Sequence, residues 1–172
     1  MGKQGNVDFS DLRRFRDRLE KNFDRNQVDL FIESCAKELA ARLLAKVIKR
    51  TPVGEYDKPV KFTTKDGKEV SFTPSTGKKG GTLRRGWAGE KSGGASAYAN
   101  SLKVNRFGDV FVIEIKNPVE YASYVEFGHR TRGGNGWVEG KFMLTISEQE
   151  IKRDAPRVLE NKLKKKLGDL FK

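Results

Sequence analysis

One cysteine, one histidine and two tryptophans in 172 residues leave few of the side chains on which protein chemistry is usually built. Cys35 has no second cysteine for an internal disulfide, and His129 alone cannot supply a histidine-rich metal site, so zinc-finger and Cys/His nucleophile chemistry are nearly excluded. No apolar run approaches the roughly 18 residues that span a bilayer, and residues 1–6 lack the apolar stretch of a signal peptide. The expectation is a soluble, intracellular chain with no membrane partner. Hydrophobic residues make up 36% and charged residues 34%, so a single domain of this length can build only a thin core.

What the chain has in excess is positive charge, 35 Lys and Arg against 23 Asp and Glu, a net +12. The excess sits on two terminal, helix-like segments and on the Gly/Lys/Arg loop 78–85, while the middle of the chain is nearly neutral. Two readings follow: a solvated helical face that keeps the protein soluble, or contact with a polyanion. In the second, Lys78, Lys79, Arg84 and Arg85 face DNA or an acidic partner, near the aromatics Trp87, Trp137 and Phe142. No helix-turn-helix, RNA-recognition or zinc signature accompanies them. A non-specific nucleic-acid-binding protein using its basic helices and loops is therefore the alternative function.

Residues 1–25 read as an extension, with Phe9, Leu12, Phe15, Leu19 and Phe23 on one face of a short amphipathic helix. Residues 26–172 read as one domain. Asn26 is a plausible N-cap for a long helix with Asp29 in its first turn. Its stripe of Val28, Phe31, Ile32, Cys35, Leu39, Leu43 and Val47 runs to Thr51-Pro52, where proline ends it. Cys35 within that stripe is a small core hydrophobe. Around Lys65-Asp66-Gly67, a two-residue turn would put the apolar residues of the two arms on opposite faces. A three-residue loop with Gly67 left-handed pairs Phe62 with Val70 and Val60 with Phe72, giving one apolar face. Turn-rich flanks make this hairpin, at about 56–73, a protruding arm.

Residues 98–104 alternate as a strand, 105–109 turn, and 110–115 are apolar enough for a central strand buried on both faces. Asn117-Pro118-Val119-Glu120 has the composition of a helix start. Tyr121, Ala122, Tyr124 and Val125 would form the buried side of that helix, and Gly128 its left-handed cap. Residues 129–140 then form a glycine-rich loop, and Phe142-Met143-Leu144 a strand or buried bridge. Ser147 and Glu150 form a capping box for a last helix with the stripe Ile151, Ala155, Leu159, Leu163, Leu167 and Leu170, kinked or restarted at Pro156.

Glu126, His129, Arg130 and Arg132 cluster near Gly128, but no carboxylate cage accompanies them, and the glycine-rich loops at 77–81 and 133–136 lack P-loop spacing. No catalytic residue, cofactor or metal is expected. The runs Asn117-Pro118-Val119-Glu120-Tyr121-Ala122-Ser123-Tyr124-Val125-Glu126-Phe127-Gly128-His129-Arg130 and Gly136-Trp137-Val138-Glu139-Gly140-Lys141-Phe142-Met143-Leu144 carry a resemblance. They resemble the tailed-phage family of tail-completion and head-tail joining proteins, related to the lambda minor tail protein Z group. The order of elements over about residues 28–170 is similar as well.

The resemblance implies an α+β subunit in which a small antiparallel sheet is packed by a long N-terminal helix, a short central helix and a C-terminal helix, with the hairpin protruding. It also implies a non-enzymatic virion protein of the neck, assembled in the bacterial cytoplasm. Its partners would be other copies in a ring, hexameric because tail tubes have six-fold symmetry, with the tail tube or terminator, the head connector or adaptor, and DNA in the channel. Tyr121, Tyr124, Phe127 and Trp137 would then be interface anchors presented by the short helix at 118–127 and the loop beyond Gly128 and His129. Glu126 would pair with Arg130 or Arg132 to fix subunit register.

Overall fold

The computed structural model describes residues 17, 21, 24–56, 58–73, 77, 80–88, 94–131 and 133–170. The amphipathic helix expected at 9–23 lies almost wholly outside the described residues, as do Lys78, Lys79 and Arg132. Among the described residues, apart from helical positions 17 and 21, five helices and six strands follow: α1 Arg25–Arg50, β1 Val60–Thr63, β2 Glu69–Phe72, α2 Thr82–Gly86, α3 Gly94–Ser101, β3 Val104–Phe107, β4 Val110–Ile113, α4 Ala122–Phe127, β5 Gly128–Arg130, β6 Trp137–Glu139 and α5 Met143–Leu170. The fold is α+β. Its strands form three separate two-stranded antiparallel sheets, β1–β2, β3–β4 and β5–β6.

Helix α1 is the organising element. Asp24, not Asn26, is its N-cap and accepts from the Gln27 amide at 2.7 Å. Its end is fixed by Thr51, which is fully buried and returns both its amide and its hydroxyl to the Val47 carbonyl. The core gathers Ala40, Leu44 and Val47 of α1, Leu83 of α2 with the following Trp87, Ala99 of α3 and Met143 of α5. Steps of four along 35, 39, 43 and 47 drift around a 3.6-residue helix, so Leu39 and Leu43 are only half-buried and the deepest face passes through Ala40, Leu44 and Val47. Cys35 is buried as expected, and burial pushes its thiol above the ordinary value.

Residues 98–101 are helical, not extended. Ala95, Tyr98, Ala99 and Leu102 occupy one helical side, and the small Ala99 is fully buried against the core, where a larger side chain would hold α3 off. The strand pair therefore starts later, at Val104, and turns at Gly108. Its β4 is not central. Phe111 and Ile113 are half-buried, whereas Val110 and Val112 face outward. The hairpin β1–β2 has the expected register, Val60 opposite Phe72 and Phe62 opposite Val70, with Gly67 at φ +76°.

Antiparallel to α1 runs α5, which continues through Pro156 without a break in its helical span. Charged pairs knit the two helices together: Lys46 with Glu150 and Asp154 (2.9 and 3.5 Å), Arg50 with Glu150 (2.8 Å) and Lys162 with Glu38 (3.0 Å). Ser147 and Glu150 thus serve α1, not a capping box. Ser147 is buried four residues into α5 and accepts from Arg50.

The neighbouring cations hold the Glu38, Glu150 and Asp154 carboxyls below their ordinary values, chiefly through Lys162, Lys46 and Arg153 respectively. Glu150 in turn holds the Lys46 ammonium above its own ordinary value. Depressed carboxyls contribute stability that is present above their unfolded values, 4.5 for Glu and 3.8 for Asp, and lost as pH falls through the folded ones. The raised lysine contributes fully below 10.5 and loses its share above. Melting temperatures are therefore expected to stay level through neutral pH and to drop at pH values below 4.5. Equal melting temperatures at neutral and strongly acid pH would show that these pairs contribute nothing.

Candidate assembly surface

The short helix begins at Ala122, later than residue 118. Asn117 instead closes a turn by accepting from the Val119 amide at 3.1 Å, and its amide group donates to the Leu83 carbonyl at 2.9 Å. Ala122 and Val125 pack toward the core, but Tyr121 and Tyr124 point out, so the expected burial of the two tyrosines is corrected.

Glu126, on the inward side of α4, is buried and accepts three hydrogen bonds from the start of α5: the amides of Leu144 and Thr145, both at 2.9 Å, and the Thr145 hydroxyl at 2.8 Å. A carboxylate here satisfies two of the amides that a helix start leaves without partners and opposes the positive end of the helix dipole. Its expected pairing with Arg130 is therefore replaced by a helix cap supplied from another element, and Arg132 lies outside the described residues. The Lys141 amide reaches the Val125 carbonyl (2.8 Å) and the Phe142 amide reaches that of Glu126 (3.0 Å), stitching α4 to the approach of α5.

Gly128 has a positive φ of 86°, as its capping role required, but with ψ at 172° it is extended rather than left-handed helical. It opens β5 directly, so residues 129–140 are not all loop. His129 pairs with Val138 and Arg130 with Trp137, and the Thr131 amide donates to the Gly136 carbonyl at 3.0 Å at the open end of this hairpin. A side chain on Gly128 would strike the Val138 carbonyl, and one on Gly140 would strike that of Glu126. The two glycines let the strands cross the end of α4 at backbone distance. Phe142 then turns the chain into α5 with φ +45°, so Phe142-Met143-Leu144 is a helix entry and not a strand.

The result is a group of exposed aromatics around a fixed junction. Tyr124, Phe127 and Trp137 are each about three-fifths exposed, and Tyr121, Val138 and Phe142 are about two-fifths exposed. The Tyr124 and His129 rings lie 5.8 Å apart. Arg130 is exposed at the end of β5. The expected basic site fares differently. Arg84 turns inward, and its guanidinium donates twice to the Thr51 carbonyl, at 3.1 and 2.7 Å, holding the end of α1. Arg85 is exposed and donates to the Gly80 carbonyl and the Thr82 hydroxyl. Trp87 is core, with an indole N–H that has no partner among the described residues.

A family model described as "Bacteriophage HK97-gp10, putative tail-component" matches residues 13–128, about two thirds of the chain. The chain belongs to the HK97-gp10-like family. It is a bacteriophage tail component, which agrees with the resemblance carried by residues 117–144. The match starts inside the basic N-terminal segment and ends at Gly128, where α4 gives way to the hairpin. No curated protein and no solved structure matches the chain significantly. Among the described residues of this tail component, no helix is long and apolar enough to cross a membrane.

Proposed function

We propose that this tail component is a non-enzymatic protein of the phage neck that completes the tail and joins it to the head connector. It would work as a ring of identical subunits around the DNA channel, six-fold like the tail tube, and would be assembled in the bacterial cytoplasm. The observation that carries the reading is the exposure of three large aromatics, Tyr124 and Phe127 on α4 and Trp137 on the β5–β6 hairpin, around a junction fixed by Glu126, Gly128 and Gly140. Large aromatics that stay exposed on a rigid support are where subunit contacts concentrate their energy.

The experiment is phage carrying Trp137→Ala, or lacking residues 131–136. The protein is expected to remain folded, because Trp137 lies outside the core cluster. Infectious titre is expected to fall by at least about tenfold, the loss a central interface residue carries, with full heads and finished tails accumulating separately. Normal titre from both variants would overturn the assembly role.

A further inference from the structure

We propose that the apolar face of the β1–β2 arm of one subunit packs onto the outward apolar face of β3–β4 of a second copy of this chain, joining subunits head to tail. The inference rests on the ring reading above and names a contact within it.

Two observations define the surfaces. Register places Val60, Phe62, Val70 and Phe72 on one side of the arm, with both phenylalanines about half exposed. On β3–β4 the register places Asn105, Phe107, Val110 and Val112 on one side, with Phe107 about two-thirds exposed and Val110 three-fifths exposed. The opposite side of β3–β4 is turned to α1, where Arg106 pairs with Asp29 and lies over the Phe111 ring, 5.3 Å from its centre. Among the described residues both outward faces stay open, and neither covers the other.

Matching then selects the occupant. Each face is two strands wide and four residues long, and no charged side chain interrupts either. A two-stranded hairpin is marginal until something covers its apolar side. At about 100 Å² for each half-exposed phenylalanine, each face offers on the order of 300 Å² of apolar surface. Face to face the pair would cover on the order of 600 Å², about half of the smallest stable interface, and the aromatic surface on α4 and β5–β6 offers a comparable area. Charge does not oppose the contact: the arm carries Lys61, Lys65 and Lys68 against Asp66 and Glu69, and on the receiving hairpin exposed Lys103 offsets Asp109 while Arg106 is already engaged by Asp29. Because the two faces differ, the contact is heterologous, and repetition closes a ring when the rotation divides the circle.

Sedimentation of the purified full chain tests this through two variants, Phe62→Asp with Phe72→Asp on the arm, and Phe107→Asp with Val110→Asp on the receiving face. All four positions are exposed, so circular dichroism should show wild-type helix content. Wild type is expected to oligomerise and each variant to sediment as a monomer. An equimolar mixture of the two should form one-to-one dimers that grow no further, since one intact face remains on each. A mixture that stays monomeric, a variant that keeps the wild-type oligomer, or wild type monomeric at about 100 µM would overturn the contact. If Trp137→Ala dissociates the oligomer while the arm variant does not, this contact fails and the ring reading stands.

Discussion

Glu126→Ala is expected to cost about 3 kcal/mol of folding stability, the largest effect of any single side chain outside the apolar core. The carboxylate is buried, and its two oxygens take the Leu144 and Thr145 amides and the Thr145 hydroxyl. Alanine would leave the first turn of α5 with amides facing a small void and would remove the side-chain tie between α4 and α5, leaving the backbone bonds of Lys141 and Phe142. Glutamine separates charge from shape, because it keeps one acceptor oxygen but turns an NH2 group toward an amide that needs an acceptor. A loss of about 1–2 kcal/mol is expected for Glu126→Gln. Chemical denaturation of the three proteins checks the order, and a change below about 0.5 kcal/mol for alanine would mean that the cap contributes no more than an ordinary surface residue.

Gly140→Ala is expected to be at least as damaging, about 3 kcal/mol or more, for a steric reason. Its methyl group would meet the Glu126 carbonyl and the backbone of Phe127 and Gly128, none of which can rotate away. Gly128→Ala meets the Val138 carbonyl and adds the strain of a positive φ, typically about 1–3 kcal/mol. Either change should tilt the β5–β6 hairpin off α4 and scatter the aromatic surface along with the stability. Gly168→Ala is the control. Space around that glycine is open and it lies within α5, so the same methyl group should stabilise by about 0.5–1 kcal/mol. Three melting curves with the same sign would refute the argument from backbone contact.

These effects centre on the segment 117–144 that the sequence singled out, but for reasons periodicity could not reveal. The spacing of Glu126, Gly128 and Gly140 is set by a crossing of backbone between α4, the β5–β6 hairpin and the entry to α5. No local pattern encodes that crossing; the clue available was a carboxylate on the inward side of an otherwise apolar helix. Strong local signals were legible. The long α1, its stop at Thr51-Pro52 and the β1–β2 register all follow from apolar spacing and turn chemistry. Helix α3 was missed because alanines at 95 and 99 count weakly in an apolar pattern, which left Tyr98, Leu102 and Val104 to read as alternation. The apolar run at 110–115 was over-read, since β4 buries only Phe111 and Ile113 in part and leaves Val110 and Val112 exposed on its other side. Arg84 could not be told from a surface cation without knowing that its reach ends on the Thr51 carbonyl.

The two tryptophans occupy opposite environments, Trp87 in the core and Trp137 open on the hairpin. Their fluorescence should therefore separate two events that other probes mix. Unfolding exposes Trp87 and shifts its emission to the red. Association through the proposed aromatic contact would cover Trp137, shift its emission to the blue and remove it from the reach of iodide or acrylamide while Trp87 stays as it was. A chain with few aromatic reporters thus carries one for the fold and one for the contact, each readable after the other has been replaced by phenylalanine.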